Sequence, residues 1–364
     1  MHGIDGGLQD RNHHLGGGAR GWKQRGARLG DRPATPSEHE VTPVTDHGPV
    51  PPGILVAGAG AAGVSAALWL RGLGLPFRWI GPEAAVGGTL RRVGNPIANY
   101  PGCRVADGPA LVEKLLGDLD AEGLRPEDGS IVELRGSPDA PPEVRLDGGR
   151  VLRPGHLLLC TGTRPRLLGI EHESELLGDR VEISVTRTLE RHAGKRVVVA
   201  GGGDAALEGA LLLAARCPEV HVVHRRDAFR GQARFVDAVR SSARIHLHME
   251  NEVVALDPFP GGLSVQLRRG EAIRAGALFV RIGVAPCVPA GIPPGCLDTD
   301  GYLRTSLDGH TGWAGVLAAG DVTGRQHQSV AWAVGSAARA AESIARDGGW
   351  KALSLRGDAA GDAG

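Results

Sequence analysis

The strongest constraint on the fold is a pattern that occurs twice along the chain: a short apolar run, a glycine-rich turn and a helix-forming segment. The first copy has its apolar run at 54–57 and the turn GAGAAG at 58–63. In the second copy the apolar run is Arg196–Ala200 and the turn is GGGDAA at 201–206. Strands that alternate with helices in this way build parallel sheets. We therefore predict an α/β fold with two Rossmann-like βαβ units.

Each glycine of these turns has its own physical task. Gly58 and Gly201 permit the tight turn, and Gly60 and Gly203 let a pyrophosphate approach the backbone. Gly63, or Ala206 in its place, lets helix and strand pack closely. Each turn directly follows a strand and opens a helix, where unpaired N–H groups favour negative charge. The two turns therefore predict two dinucleotide sites.

The second strand of each unit is predicted at 76–80 and 220–224. The residues that follow these strands distinguish the two nucleotides. Glu83 stands 25 positions after Gly58, where a carboxylate can bind ribose hydroxyls, although it can equally be a solvated turn residue. In the second unit the same place holds His224, Arg225 and Arg226, with Arg230 close behind. Guanidiniums match a 2′-phosphate, which favours NADP over NAD, the alternative being a solvated charge run.

A third segment near the end of the chain points to a flavin. GVLAAGD at 315–321 is a small-residue strand that ends in Gly320 and Asp321, and a long Ala-rich helix is predicted after Gln326. Asp321 at a strand end can accept from a ribitol hydroxyl. The N-terminus of the following helix would favour negative charge on the flavin. A hairpin is also predicted over Glu143–Cys160, with its turn at 147–149.

Composition narrows the class of protein and the range of the folded part. Lys+Arg and Asp+Glu number 41 each, which argues against a nucleic-acid or membrane-surface protein. No apolar stretch approaches 18 residues and no secretory signal is found, so we expect a cytoplasmic protein. The five cysteines are scattered without a Cys-x-x-Cys, so no metal site is predicted. Residues 1–52, rich in Gly and Pro, are expected to be a disordered leader, and 347–364 a flexible tail.

Residues 53 to about 346 resemble the low-molecular-weight thioredoxin reductases and their relatives among the FAD/NAD(P)-dependent pyridine nucleotide-disulfide oxidoreductases. The matching segments are GAGAAG at 58–63, GGTL at 87–90, NYPG at 99–102, CTGTRPR at 160–166, GGGDAA at 201–206, HRRDAFR at 224–230 and GVLAAGD at 315–321. The resemblance implies an FAD-binding domain in two pieces, 53–168 and 282–346, with an NADPH-binding domain inserted at 169–281. It also implies a homodimer.

The resemblance implies the residues of both cofactor sites. Those for FAD are Gly58, Gly60, Gly63, Glu83, Gly87, Gly88, Thr89, Leu90, Asn99, Thr161, Gly162, Gly320, Asp321, His327, Gln328 and Ser329. Those for NADPH are Gly201, Gly203, Asp204, Ala206, His224, Arg225, Arg226 and Arg230. Two positions depart from the family. Thr89 stands where Gln is usual, and His327-Gln328 stands where Arg-Gln is usual.

The largest departure from the family is at the position of its redox-active cysteines. Thioredoxin reductases carry Cys-Ala-Thr-Cys where this chain has Ser184-Val185-Thr186-Arg187. A hydroxyl cannot form a disulfide, so no catalytic residue is assigned. Arg187 is expected either to face the flavin and attract an acidic carrier or to pair with a local carboxylate such as Glu190.

The resulting interpretation is an oxidoreductase that passes hydride from NADPH to FAD and on to an external acceptor, without a redox-active Cys-x-x-Cys. A ferredoxin- or flavodoxin-like carrier is the first acceptor considered, since the chain resembles the thioredoxin reductase-type ferredoxin–NADP reductases. A reductase or oxidase of a small molecule in a biosynthetic pathway is the alternative, followed by a disulfide reductase that uses other thiols. A non-enzymatic NADPH/FAD redox-sensing module is the hypothesis from a different class.

Overall fold

The computed structural model describes residues 53–324, 326 and 328–348, so the predictions for 1–52, His327 and most of the tail lie outside the described residues. The strands are β1 Ile54–Ala57, β2 Phe77–Ile80, β3 Ile131–Arg135, β4 Glu143–Leu146, β5 Val151–Leu152, β6 His156–Leu159, β7 Thr163–Pro165, β8 Val181–Glu182, β9 Val197–Ala200, β10 Val220–His224, β11 Ile245–Met249, β12 Val253–Phe259, β13 Gly262–Leu267, β14 Ile273–Ala275, β15 Ala277–Val280, β16 Val284–Pro286 and β17 Val316–Ala318. The α-helices are α1 Ala61–Gly72, α2 Gly108–Ala121, α3 Val185–Thr188, α4 Asp204–Ala214, α5 Ala233–Ser241 and α6 Val330–Asp347.

The first sheet is parallel, with strand order β17-β6-β1-β2. All four residues of β1 are buried, as is usual for a strand covered on both faces. Helices α1 and α6 pack closely on one face because their contact surfaces carry alanines, among them Ala66 and Ala341, which are fully buried. Ser65 Oγ donates to the carbonyl of Val334 at 2.9 Å and joins the two helices.

The predicted hairpin is only partly correct. Strands β4 and β5 pair antiparallel around a turn at Asp147–Gly149, as predicted. Residues His156–Leu159, however, form β6, which pairs in parallel with β1 and not with β4. Leu157, Leu158 and Leu159 are all fully buried, and such a continuous apolar run belongs in a parallel sheet rather than in an alternating hairpin.

The second sheet is also parallel, in the order β11-β10-β9-β15-β8. Helices α4 and α5 share an apolar cluster with one of its faces, and the antiparallel sheet β12-β13-β14 shares a cluster with the other. The two parallel sheets, each with its own glycine turn, confirm the predicted α/β class.

Two chain segments run between the sheets, and they pair with each other. Strand β7 follows β6 of the first sheet, β16 follows β15 of the second, and the two are antiparallel partners. The first sheet thus takes strands from both ends of the described chain, and the second takes its strands from 181–280. Within the described residues, no helix is long and apolar enough to cross a membrane.

Candidate functional site

The first glycine turn lies where the strand order of the first sheet reverses. From β1 the chain runs to β2 on one side and later returns to β6 on the other, so the ends of β1 and β6 border a crevice. Such a crevice is where open α/β sheets bind ligands. The backbone N–H of Cys160, the residue after β6, donates to the carbonyl of Ala57 at 2.7 Å and closes the base of the crevice.

The three glycines of this turn have different surroundings. A Cβ on Gly58 would lie 2.2 Å from the Cys160 carbonyl oxygen, and its φ of +113° also favours glycine. A Cβ on Gly63 would lie 1.8 Å from the Gly58 carbonyl oxygen, so that glycine is needed for packing. A Cβ on Gly60 would have no atom within 4 Å. Protein packing therefore does not require glycine at position 60, whereas a closely approaching ligand does.

A cavity of about 960 Å³ opens beside this turn and is large enough for a dinucleotide. It collects most of the residues predicted for FAD. Those that line it are Gly58, Gly60, Gly87, Gly88, Thr89, Leu90, Asn99, Thr161, Gly162, Asp321, Gln328 and Ser329. The segments 58–60, 87–99 and 161–162 thus meet Asp321, Gln328 and Ser329 around one cavity, although they are far apart in the sequence.

Two polar groups in the cavity have no hydrogen-bond partner among the described residues. Burial raises the pKa of the Asp321 carboxyl to about 6, since no described cation compensates its charge. Thr161 Oγ1 is buried without a hydrogen-bond partner among the described residues. A ligand with hydroxyl groups would satisfy both, because a hydroxyl donates to a carboxylate and also accepts. The cavity and these groups fit FAD, whose ribityl and ribose parts carry such hydroxyls.

Three of the residues predicted for FAD lie elsewhere. Gly63 packs against the Gly58 carbonyl within the turn and does not line the cavity. The Gly320 N–H donates to Ser336 Oγ at 3.0 Å, which fixes the end of β17 on α6. Glu83 is mostly exposed, and its carboxylate lies 3.8 Å from Arg125 Nε.

The second glycine turn lies at the strand reversal of the second sheet, and its glycines have the same kinds of surroundings as those of the first turn. A Cβ on Gly201 would lie 2.3 Å from the Arg281 carbonyl oxygen, whereas a Cβ on Gly203 would have no atom within 4 Å. Ala206 is fully buried under the turn, where the first unit has Gly63. The middle glycine again faces open space, which fits a second dinucleotide.

Two residues predicted for NADPH have structural contacts around this turn. The ring of His224 is buried beneath Gly202, stacks on Phe229 at 5.5 Å between centroids, and has Nε2 3.1 Å from the Ala228 carbonyl. The Asp204 carboxylate accepts from the backbone and side-chain N–H groups of Gln232, which lowers its pKa. These contacts shape the loop after β10.

The arginines after β10 lie at the surface beside the second turn. Arg225 and Arg226 are exposed, and neither forms an ion pair within the part of the chain that the structure describes. The backbone N–H of Arg230 donates to the Gly202 carbonyl at 2.9 Å, so this segment is anchored to the glycine turn.

Helix α3 and its N-cap residue Ser184, where the family's cysteines are expected, pack on the segment 92–94. Ser184 Oγ donates to the Arg92 carbonyl at 3.4 Å, and Thr186 is tightly packed on Gly94. Ser184 lines a second cavity, of about 290 Å³, and Arg187 lines the large one. Glu190 pairs with Arg216 and not with Arg187. The expected local partner of Arg187 is therefore engaged elsewhere.

Several cavity residues were not predicted. Arg92, Arg164 and Cys287 line the large cavity, and Arg281 lines the small one. Arg281 directly follows β15, and a polar residue at the end of an apolar strand is a signal that the sequence already contained. All five cysteines are free, and no group of His, Cys, Asp or Glu among the described residues could hold a metal ion.

Comparisons with known proteins agree with this architecture. The family model of the pyridine nucleotide-disulphide oxidoreductases matches residues 52–337. The bifunctional thioredoxin reductase/thioredoxin of Mycobacterium leprae is 33% identical over 323 residues, a match that covers 84% of this chain and 66% of that protein. The thioredoxin reductase of Streptomyces clavuligerus is 30% identical over 298 residues, covering 79% of this chain and 91% of that protein.

Solved structures give the same result for the fold. The thioredoxin reductase of Lactococcus lactis matches with a TM-score of 0.68 at 24% identity, covering 81% of this chain and 98% of that one. The thioredoxin reductase of Streptococcus pyogenes matches with a TM-score of 0.55 at 25% identity, covering 80% and 96%.

Proposed function

Because this chain belongs to the pyridine nucleotide-disulphide oxidoreductases and is a thioredoxin reductase-like, FAD- and NADPH-dependent flavoprotein enzyme, we propose that it delivers electrons from NADPH to an external acceptor without a redox-active pair of cysteines. Membership of an enzyme family disfavours the non-enzymatic sensor. The acceptor proposed first is an acidic protein carrier of the ferredoxin or flavodoxin type.

The observation that carries the proposal is the position of α3. Its N-cap residue Ser184 borders the small cavity and its Arg187 borders the large one, so a hydroxyl and a guanidinium occupy the positions expected for thiols. Neither group can form a disulfide or carry electrons. The part of the chain that would relay electrons in a thioredoxin reductase therefore has only polar and electrostatic functions here.

The two cysteines that line the large cavity make poor substitutes for that pair. Cys160 and Cys287 both line the large cavity, but burial raises the pKa of the Cys160 thiol to about 12 and also raises that of Cys287. Since the thiolate is the reactive form, burial makes both thiols less reactive near neutral pH than an exposed cysteine. This argues against a disulfide reductase that uses other thiols.

The chain's own residues bind and orient the cofactors. The glycine turn at 58–63, Thr161 and Asp321 would hold FAD in the large cavity, and the turn at 201–206 with Arg225 and Arg226 would hold NADPH. When bound, FAD would supply the redox chemistry between NADPH and the acceptor. The Asp321 carboxyl, which burial desolvates, would bind a hydroxyl of the cofactor more strongly than it would in water.

The charge around the large cavity favours an acidic acceptor. Arg92, Arg164 and Arg187 line it, and Arg164 and Arg187 are exposed. Within the described residues none of the three forms an ion pair. Exposed positive groups around a redox site steer and orient an acidic partner, and the resulting rate enhancement falls with ionic strength. A small anionic molecule is the second candidate, since the same charges would attract it.

Stopped-flow measurements test the proposal. NADPH should bleach the flavin absorbance anaerobically within seconds, and turnover with thioredoxin should stay at background. Arg187→Ala should slow electron delivery to a ferredoxin several-fold and weaken its salt dependence, without changing flavin bleaching by NADPH. Arg240→Ala, an exposed arginine at the end of α5, is the matched control.

Two results would contradict the proposal. Rapid NADPH-driven reduction of thioredoxin would show that a thiol relay exists after all. Equal rates for Arg187→Ala and wild type at all salt concentrations, with ferredoxin as acceptor, would refute the docking role of Arg187 and favour the small-molecule acceptor.

A further inference from the structure

We propose that Arg281 is a positioning residue for NADPH and binds the pyrophosphate of the nucleotide at the second glycine turn. The inference rests on the proposed use of NADPH and concerns a residue that the sequence motifs did not single out. Four features of the structure support it: the place of Arg281 in the sheet, its contacts, its uncompensated charge and the contrast with the first unit.

Arg281 lies at the strand reversal of the second sheet. From β9 the chain continues to β10 and β11 on one side and returns to β15 on the other. Gly201 directly follows β9, and Arg281 directly follows β15. The backbone N–H of Arg281 donates to the Ala200 carbonyl at 2.8 Å. The backbone of Arg281 therefore lies at the edge of the crevice where such sheets bind ligands.

The guanidinium is held firmly but retains donors. Nη1 donates to the Ile183 carbonyl at 2.5 Å, and Nε lies 3.4 Å from the Ala205 carbonyl. A guanidinium has five N–H donors, so these two carbonyls leave three for a ligand. The Ala205 contact places the group beside the first turn of α4, whose N-terminus lacks a side-chain cap. Its orientation is therefore fixed before any nucleotide binds.

The Arg281 guanidinium has no ion-pair partner among the described residues. Burial lowers its pKa, and Glu208 is the acid that opposes this effect. No carboxylate of the described residues comes within ion-pair distance of the guanidinium. A half-buried cation without a counter-ion is costly, and a bound anion would remove that cost. The small cavity that Arg281 lines gives such an anion access.

The first unit shows that the fold itself does not require an arginine here. Cys160 is the equivalent residue there, since it follows β6 and donates to Ala57 as Arg281 donates to Ala200. Of the two glycine-turn units, only the second therefore has an arginine at this position.

The positions of the arginines assign them to different phosphates. Arg225 and Arg226 follow β10, on one side of the glycine turn, and Arg281 follows β15, on the other. A dinucleotide that crosses the turn can place its 2′-phosphate near β10 and its pyrophosphate between the turn and β15. Arg281 would then contact the pyrophosphate, which adenosine 2′-monophosphate lacks altogether.

Calorimetric titration of the FAD-loaded protein tests this assignment. Arg281→Gln should bind NADP⁺ about ten-fold or more weakly, because a charge-assisted hydrogen bond is lost, while adenosine 2′-monophosphate binds within two-fold of wild type. Arg180→Gln is the matched control, since Arg180 is also partly buried and donates to carbonyls, those of Phe259 and Gly262, away from the turn. It should bind both ligands as wild type does.

Arg281→Lys is the second variant in case Arg281→Gln does not fold. It keeps the charge but loses the planar fork, so we expect NADP⁺ affinity several-fold lower and adenosine 2′-monophosphate affinity unchanged. Unchanged NADP⁺ affinity in the folded variants, or equal weakening of both ligands, overturns the role of Arg281. Wild-type protein that binds neither NADP⁺ nor FAD would instead refute the proposed function itself.

Discussion

Gly60 and Gly63 are required for different reasons: Gly63 for packing within the protein, and Gly60 for the approach of a ligand. A Cβ at Gly63 would collide with the Gly58 carbonyl, whereas a Cβ at Gly60 would project into open space. Gly60 has a φ of −74°, which any residue can adopt, so neither packing nor backbone strain explains its glycine. Only a close ligand does.

This difference gives a prediction for a matched pair of variants. Gly63→Ala should lower the free energy of unfolding of the FAD-free protein by about 2 kcal/mol or more, since backbone atoms must move. Gly60→Ala should leave that free energy within about 0.5 kcal/mol of wild type but weaken FAD binding at least ten-fold. Urea titration and flavin fluorescence measure the two quantities. Normal FAD binding by Gly60→Ala would show that the pyrophosphate does not approach this residue.

Sequence reasoning at the scale of single residues succeeded where the requirement is local. The roles of Gly58 and Gly63 follow from the sterics of one turn, and the structure supports both through close contacts. The position of Glu83 depends on a short 3₁₀ turn, Glu83–Ala85, which points it toward solvent. Arg281 was missed because its importance depends on which strand lies beside β9, and that order is set by tertiary packing.

At the scale of elements, the segment after α3 contains a buried polar group with a measurable pH dependence. His192 is almost fully buried, with Nε2 3.3 Å from Glu182, which also pairs with Arg191. Its Nδ1 has no partner among the described residues. Burial lowers the pKa of His192 to about 4, below its usual 6.5, so the ring is neutral in the folded protein.

The sign of the effect follows from these two pKa values. Between pH 6.5 and 4 the unfolded chain binds a proton at this histidine that the folded chain does not. The stabilisation is therefore complete above pH 6.5 and is lost as the pH falls toward 4. Between pH 7 and pH 5 wild type should lose on the order of 2 kcal/mol more stability than His192→Gln. Urea titrations at both pH values measure this, and parallel losses would show that His192 titrates normally.

The elements themselves were predictable to the extent that periodicity distinguishes them. The alternating stretch Glu143–Leu146 forms the predicted hairpin strand, whereas the continuous apolar run at 157–159 belongs to the parallel sheet. The predicted long helix after Gln326 begins at Val330, where Ser329 caps it by accepting from the Trp332 N–H at 3.2 Å. Caps of this kind fix a boundary that apolar periodicity alone leaves uncertain by a few residues.

At the scale of the whole molecule, two parallel sheets with one glycine turn each could be predicted because both turns lie between a strand and a helix. The order of the strands could not, because it depends on where the chain returns after each crossover. The convergence of 58–62, 87–99, 161–162, Asp321 and 328–329 on one cavity is likewise a product of that order. The resemblance supplied these positions, and the structure shows why they belong together.

The central claim is that electrons pass through FAD alone, without a pair of thiols. Anaerobic titration of the FAD-loaded protein with dithionite tests it most directly, because a dithiol–disulfide couple takes two electrons of its own. The account predicts that flavin absorbance is fully bleached after two electrons per FAD and that no thiols beyond those of the untreated protein are then found. Uptake of four electrons per FAD, with two new thiols in the chain, would contradict it.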